Sequence, residues 1–248
     1  MAVRQISNLL DLLEHFGRTK RPASLSDIVE QLGWPRSSAH HLLSTLLERG
    51  YLYEIKPRRG FYPTQALREL AEDISSADPL PPEVHGLLHD IMVLTGETAM
   101  CAVSMDTFAV IIDAEQSLQD IRFVARIGTR VPIHATPSGR ALLSQYKEAD
   151  RARLLRKVSF VPYQQDTLLS ADDVERDIAS SLQRGFFESR SGFTQDVAAV
   201  AVPMTLGGRK LSISVGGPAY RFSLRMAEVG AIMKSSVDRF LGEFAGQD

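Results

Sequence analysis

The chain has 248 residues, 44% of them apolar and 23% charged, with a formal net charge of −2. That composition excludes a disordered or fibrous chain and leaves room for one large domain or two ordinary ones. A single cysteine, Cys101, excludes an intrachain disulfide and a cysteine-based zinc site, while the polar start and the lack of any apolar run of roughly 18–20 residues point to a reduced cytoplasmic protein with no membrane partner.

In chain order, residues 5–16, QISNLLDLLEHF, place Ile6, Leu9, Leu10, Leu13 and Phe16 on one helical stripe, which Gly17 is expected to end. In SLSDIVEQLG, Ser24 and Asp27 form a capping-box pair ahead of Ile28, Val29 and Leu32, and Gly33 stops the helix. Pro35 suits the first turn of the next helix, where its missing N–H has no partner to lose. That helix is predicted to run to Arg49, with Gly50 following it. YLYEIKPRRGFYP then predicts two short strands around a basic turn, Lys56 to Gly60. Residues 64–75 predict a further helix, and SSADPLPP, 75–82, a linker, because its three prolines fit neither a ladder nor a helix interior.

Beyond the linker the texture changes. A helix is predicted over 83–94, then strands over 98–105, 108–115 and IRFVAR, 121–126. Helices follow over 138–145, 149–157 and 171–184, the last capped by Ser170 with Asp173. Strands return over 185–189, 197–204 and 210–216, and a closing amphipathic helix carries Met226, Val229, Met233, Val237 and Phe240. The class is α+β: an N-terminal winged helix-turn-helix over 1–63, a linker helix and Pro-rich linker over 64–82, and a C-terminal mixed domain over 83–248 with a mostly antiparallel sheet.

The helix from Arg36 carries the chemistry. Ala39, Leu42, Leu43, Leu46 and Leu47 define its buried side. The other side holds Arg36, Ser37, Ser38, His40, His41, Ser44 and Thr45, with no carboxylate before Glu48. Short or planar hydrogen-bonding groups without negative charge suit base edges and phosphate oxygens. Ser24 at the second helix's start and Arg58 and Arg59 in the wing complete the candidate DNA contacts. Charge supports this, since residues 1–65 carry a formal +3 and the remainder −5. A metal reading of His40 and His41 fails because neighbours on a helix point about 100° apart. An ordinary solvated face remains the competing reading.

At this point the sequence resembles the IclR family of bacterial transcriptional regulators. SLSDIVEQLGWPRSSAHHLLSTLLERGYL is similar to the family's winged helix-turn-helix. TGETAMCAV, RIGTRVPIHATPSGRALLS and AVPM with KLSISVGGP are similar to its C-terminal pattern in order and spacing. The resemblance implies a GAF/PAS-like effector-binding domain, a homodimer or dimer of dimers, a near-palindromic duplex operator and a small organic acid or aromatic effector. It implies no cofactor and no metal. On the residues, it puts Ser214 at a ligand position and leaves Gly216 where a second serine is common. Ser189 to Gly192 stand in place of carboxylates, and Ala199 in place of a polar contact. These departures imply a less polar pocket and a larger, aromatic effector, with Cys101, Phe123 and Ile133 as candidate walls beside Ser189. Plain core packing competes for each wall residue.

Two other function classes compete with this reading. An enzyme on the C-terminal domain would need a nucleophile with a base, and only Cys101 and His134 are tempting. A partner- or ligand-binding module without DNA binding fits poorly with Arg58, Arg59 and the carboxylate-free helix face.

Overall fold

The structure, a computed structural model, describes residues 3–55, 60–77 and 80–244. The chain divides into two compact units, Met1–Leu80 and Pro81–Asp248. The first comprises α1 (Arg4–Thr19), α2 (Leu25–Leu32), α3 (Arg36–Glu48), β1 (Leu52–Ile55), β2 (Gly60–Pro63) and α4 (Ala66–Ala77). Leu12, Phe16, Ile28, Trp34, Ala39, Leu43, Leu46 and Leu52 form its core.

The α2 cap is the expected box. The Ser24 hydroxyl accepts from the Asp27 N–H, and the Asp27 carboxylate accepts from the Ser24 N–H. Gly33 closes α2 in the left-handed region at φ 68°, which a side chain would disfavour. Two expectations for α1 change. The helix runs through Gly17 to Thr19 and ends on Lys20, because one mid-helix glycine costs only about 1 kcal/mol. The core takes Leu12, His15 and Phe16, while Ile6 and Leu10 stay 58% and 54% exposed. The apolar positions wrap more than one face, so a second apolar strip is left outside.

The wing strands pair antiparallel from Leu52 with Pro63 to Ile55 with Gly60. Ala23 and Phe61 exchange backbone hydrogen bonds, which ties the wing to the start of α2.

The second unit comprises α5 (Pro82–Thr95), β3 (Thr98–Met105), β4 (Phe108–Glu115), β5 (Arg130–Pro132), α6 (Pro137–Leu143), α7 (Glu148–Leu155), α8 (Ala171–Arg184), β6 (Phe187–Ser189), β7 (Val197–Leu206), β8 (Arg209–Pro218), α9 (Ala219–Phe222) and α10 (Met226–Phe244). Its strands lie in the order β5-β4-β3-β8-β7-β6, antiparallel throughout. The expected α+β class therefore holds. Helices α5 and α10 pack on one face of the sheet and α6 on the other, with α8 against α6.

The expected strand 121–126 is not one. The segment is irregular, and its carbonyls are claimed by side chains: Phe123 O accepts from Thr98 Oγ1 at 2.6 Å and Ala125 O from Gln116 Nε2 at 2.6 Å. The edge strand forms instead at β5, beside β4. Alternating burial without a ladder had the look of a strand.

Candidate functional site

On α3, Ala39, Leu43 and Leu46 are buried and Leu42 and Leu47 half-buried. Arg36, Ser37, Ser38, His40, His41 and Thr45 are exposed and Ser44 is half-buried. Ser37, His41 and Ser44 run along the middle of the free face, opposite the leucines. The rings of His40 and His41 lie 6.2 Å apart at 82°, so the pair diverges. Thr45 donates its hydroxyl hydrogen to His41 O at 2.9 Å and presents outward only an acceptor, which suits a base amino group better than a phosphate.

Ser24 is corrected as a contact. Its hydroxyl donates to Asp27 Oδ2 at 2.8 Å, so its proton is spent and a carboxylate stands beside it. Those bonds hold the Asp27 carboxyl below the usual carboxylate range, and its retained charge repels phosphate. Arg58 and Arg59 lie outside the described residues.

In the second unit a cavity of about 270 Å³ opens on the α6 face of the sheet. Met100, Ile111, Ala199, Ser214 and Gly216 form its floor. The irregular segment Phe123, Val124, Ala125 and Arg126 covers it. Thr136, Pro137 and Ser138 at the start of α6 and the loop of Ser189, Gly192, Phe193 and Thr194 close its sides. No carboxylate lines it. Among the described residues, the Ser214 hydroxyl, only 4% exposed, has no hydrogen-bond partner, and the Arg126 guanidinium has no ion-pair partner. Three other lining hydroxyls are better occupied: Ser189 accepts from Gly192 N, Thr136 caps Gly139 N, and Ser138 bonds Ser212. At Gly216 a Cβ would meet Met100 Cε and Phe123 Cδ1 at 3.4 Å, so the Phe123 ring covers the place a serine side chain would take.

The cavity wall is braced from behind. The buried Arg140 guanidinium donates to Asp177 Oδ2 at 2.5 Å, Glu188 O at 2.7 Å and His134 O at 3.3 Å, joining α6, α8 and the end of β6. Burial pushes its pKa down and Asp177 pushes it back up.

The structure thus brings Ser214, Gly216, Ser189, Ala199 and Phe123 around one space, and leaves two expected walls elsewhere. Cys101 is corrected because strand alternation turns it to the other face of the sheet from Met100, towards α5. Burial and the Asp113 charge push its thiol up to about 12, an unreactive state. Ile133 is corrected because it is fully buried in a separate core with Ala141, Leu143, Leu155 and Phe187. His134 offers no base to Cys101 either: its ring packs edge-on to Phe160 at 5.1 Å, and burial and the Arg140 charge lower its pKa against a weaker opposing contact with the Val161 backbone. The residues missed were Arg126, Phe193 and the α6 start. A local signal existed only for the last, inside the stretch PIHATPSG.

Comparison with known proteins bears on both units. A family model described as the IclR helix-turn-helix domain matches residues 5–55, and one described as the bacterial transcriptional regulator IclR C-terminal matches residues 72–239. The acetate operon repressor of Salmonella typhimurium is 28% identical over 236 residues, 93% of this chain and 86% of that one. Transcriptional repressor IclR of Escherichia coli is 27% identical over the same shares. Among solved structures, Thermotoga maritima IclR matches with a TM-score of 0.77 at 22% identity, over 96% of this chain and 97% of that one. An IclR homolog of Microbacterium hydrocarbonoxydans, complexed with 4-hydroxybenzoate, matches at 0.65 and 18% identity, over 96% and 99%. At those identities the structural likeness speaks for the fold.

Proposed function

The chain belongs to the IclR family of bacterial transcriptional regulators, and from that premise we propose that it is a DNA-binding repressor of a catabolic operon whose affinity is set by a small aromatic acid. The observation that carries the DNA reading is the exposed, carboxylate-free face of α3, with Ser37, His41 and Ser44 along its middle. Such a face gives base edges donors and acceptors without repelling the backbone. The relatives named as repressors support the sign of the effect. The family is one of regulators, not enzymes.

The protein acts in the cytoplasm as a homodimer or a dimer of dimers. The exposed strip Val3, Ile6 and Leu10 on α1 is an apolar face for a second copy. In the dimer the two α3 helices read half-sites about 34 Å apart on a near-palindrome.

The cavity receives the effector. Its walls are apolar and aromatic, and among the described residues the Ser214 hydroxyl has no hydrogen-bond partner and the Arg126 guanidinium no ion-pair partner. A ring with a carboxylate matches that set, and 4-hydroxybenzoate is in the structure of the Microbacterium neighbour. Binding there shifts DNA affinity by the ligand's differential affinity for the two states of the dimer.

Thermal melts of the full-length protein with benzoate, 4-hydroxybenzoate and glyoxylate test the ligand class. The aromatic acids are expected to raise the midpoint in proportion to log concentration and glyoxylate to do less. Ser214→Val should remove the shift while operator binding persists. A shift that survives Ser214→Val would take this cavity out of the effector response.

A further inference from the structure

Between α1 and α3 runs a second groove of about 580 Å³, open to solvent. Its α3 wall is Ser38, His41 and Thr45, the flank of the face already described. Its α1 wall is Arg4, Gln5 and Asn8. Every polar group in this lining is neutral or cationic, and no carboxylate enters it. Arg4, Gln5 and Asn8 make no side-chain hydrogen bond or ion pair among the described residues, so their guanidinium and amide N–H groups are unspent donors. They continue, towards the helix start, the side of α1 on which Leu12 and Phe16 enter the core, and lie away from the exposed apolar strip of Val3, Ile6 and Leu10. Neither α1 nor α3 has an acidic residue in its first turn, in contrast to α2, α5, α7, α8 and α10.

We infer that this groove seats the sugar–phosphate backbone of one DNA strand. The inference rests on the proposed DNA reading of α3. With α3 in the major groove, the strand that borders it passes along the flank bearing Ser38 and meets α1 on the far side, while Thr45, an acceptor only, faces the base edges. Arg4 supplies a cation, and Gln5 and Asn8 supply amide N–H donors to phosphate oxygens. These contacts set the depth and register of α3 and carry no sequence information. The winged unit therefore grips the duplex with its first helix as well as its recognition helix.

The test uses the full-length protein and fluorescence anisotropy, with one duplex selected by that protein from a randomised library and one unrelated duplex, across a salt series. Arg4→Ala is expected to weaken binding to both duplexes by the same factor and to make the log affinity–log salt slope shallower by about 0.9 per bound subunit. Asn8→Ala should weaken both equally, with a smaller change of slope because it is uncharged. His41→Ala, the comparator, should lower the ratio of the two affinities. Arg4→Lys keeps the cation and should recover most of the slope, which separates a phosphate contact from a folding defect. If Arg4→Ala and Asn8→Ala leave affinity and slope unchanged while His41→Ala still lowers the ratio, the groove is no backbone seat. If the wild-type chain binds neither duplex, the DNA reading falls and this inference with it.

Discussion

The two units present function in opposite ways. In the first, the candidate site is the outside of a single helix, and its residues lie within the ten positions from Arg36 to Thr45. In the second, the candidate site is an interior space between residues as distant as Met100, Phe123, Ser138, Ser189 and Ser214. A helix face needs only its own periodicity to be assembled. A cavity needs every packed element around it, so its chemistry depends on contacts that hold the walls apart and on those that let them approach.

That contrast can be broken first at the close approach behind the cavity. A Cβ at Gly139 would stand 2.1 Å from Ile133 O and 2.5 Å from Ile133 Cα, both backbone atoms. Gly139→Ala should destabilise the second unit by about 3 kcal/mol or more, read as a lower denaturant midpoint. A loss below about 1 kcal/mol would mean that the turn before α6 is soft. The α3 face is expected to behave otherwise. His41→Ala removes an exposed side chain, so the melt should hardly move, while discrimination between selected and unrelated duplexes falls by about 1–3 kcal/mol. Equal losses on both duplexes would reassign His41 to the backbone.

Ser24→Ala sharpens the comparison at a smaller scale. It removes a cap, not a packed contact, and should cost the first unit about 1 kcal/mol. DNA affinity measured well below the melting range should stay unchanged, because the hydroxyl is committed to Asp27.

The two units should also answer differently to acid. His134 has its pKa lowered by burial, so between that value and the ordinary imidazole value near 6.5 the unfolded chain binds a proton that the folded chain does not. Its contribution is complete above about pH 6.5 and is lost as pH falls below it. Asp27 has its pKa lowered from 3.8 by its bonds to Ser24, so its contribution is lost only below that value. The wild-type midpoint should fall relative to that of His134→Phe as the pH is lowered from 7 to 5. Parallel curves would show that His134 does not titrate in that window.

Legibility followed the same division. The capping box at Ser24, the left-handed Gly33 and the leucine face of α3 were readable because caps and helical periods are local. Gly17 misled because a glycine is a weak stop, and the real end came at Lys20. IRFVAR misled for a different reason. Its alternation was real, but Thr98 and Gln116, distant in sequence, took the carbonyls that a neighbouring strand would have taken. Cys101 is an apolar residue beside the cavity residue Met100, and a shift of one position along a strand reverses the face, while Ile133, in the turn after β5, packs into a separate core. Phe123 filled the space left at Gly216, a relation between residues 93 positions apart that no local pattern contains.

The sequence by itself therefore determined the helix-turn-helix, its capping, its free polar face and the alternation of helices and strands, since hydrophobic period and turn chemistry act within a few residues. Only the tertiary structure decided which apolar residues became cavity and which became core, that Arg126 and Ser214 have no partner among the described residues, and that α1 stands across a groove from α3. Those outcomes depend on which chain segments compete for the same space and the same hydrogen bonds, and that competition is settled between segments far apart in the chain.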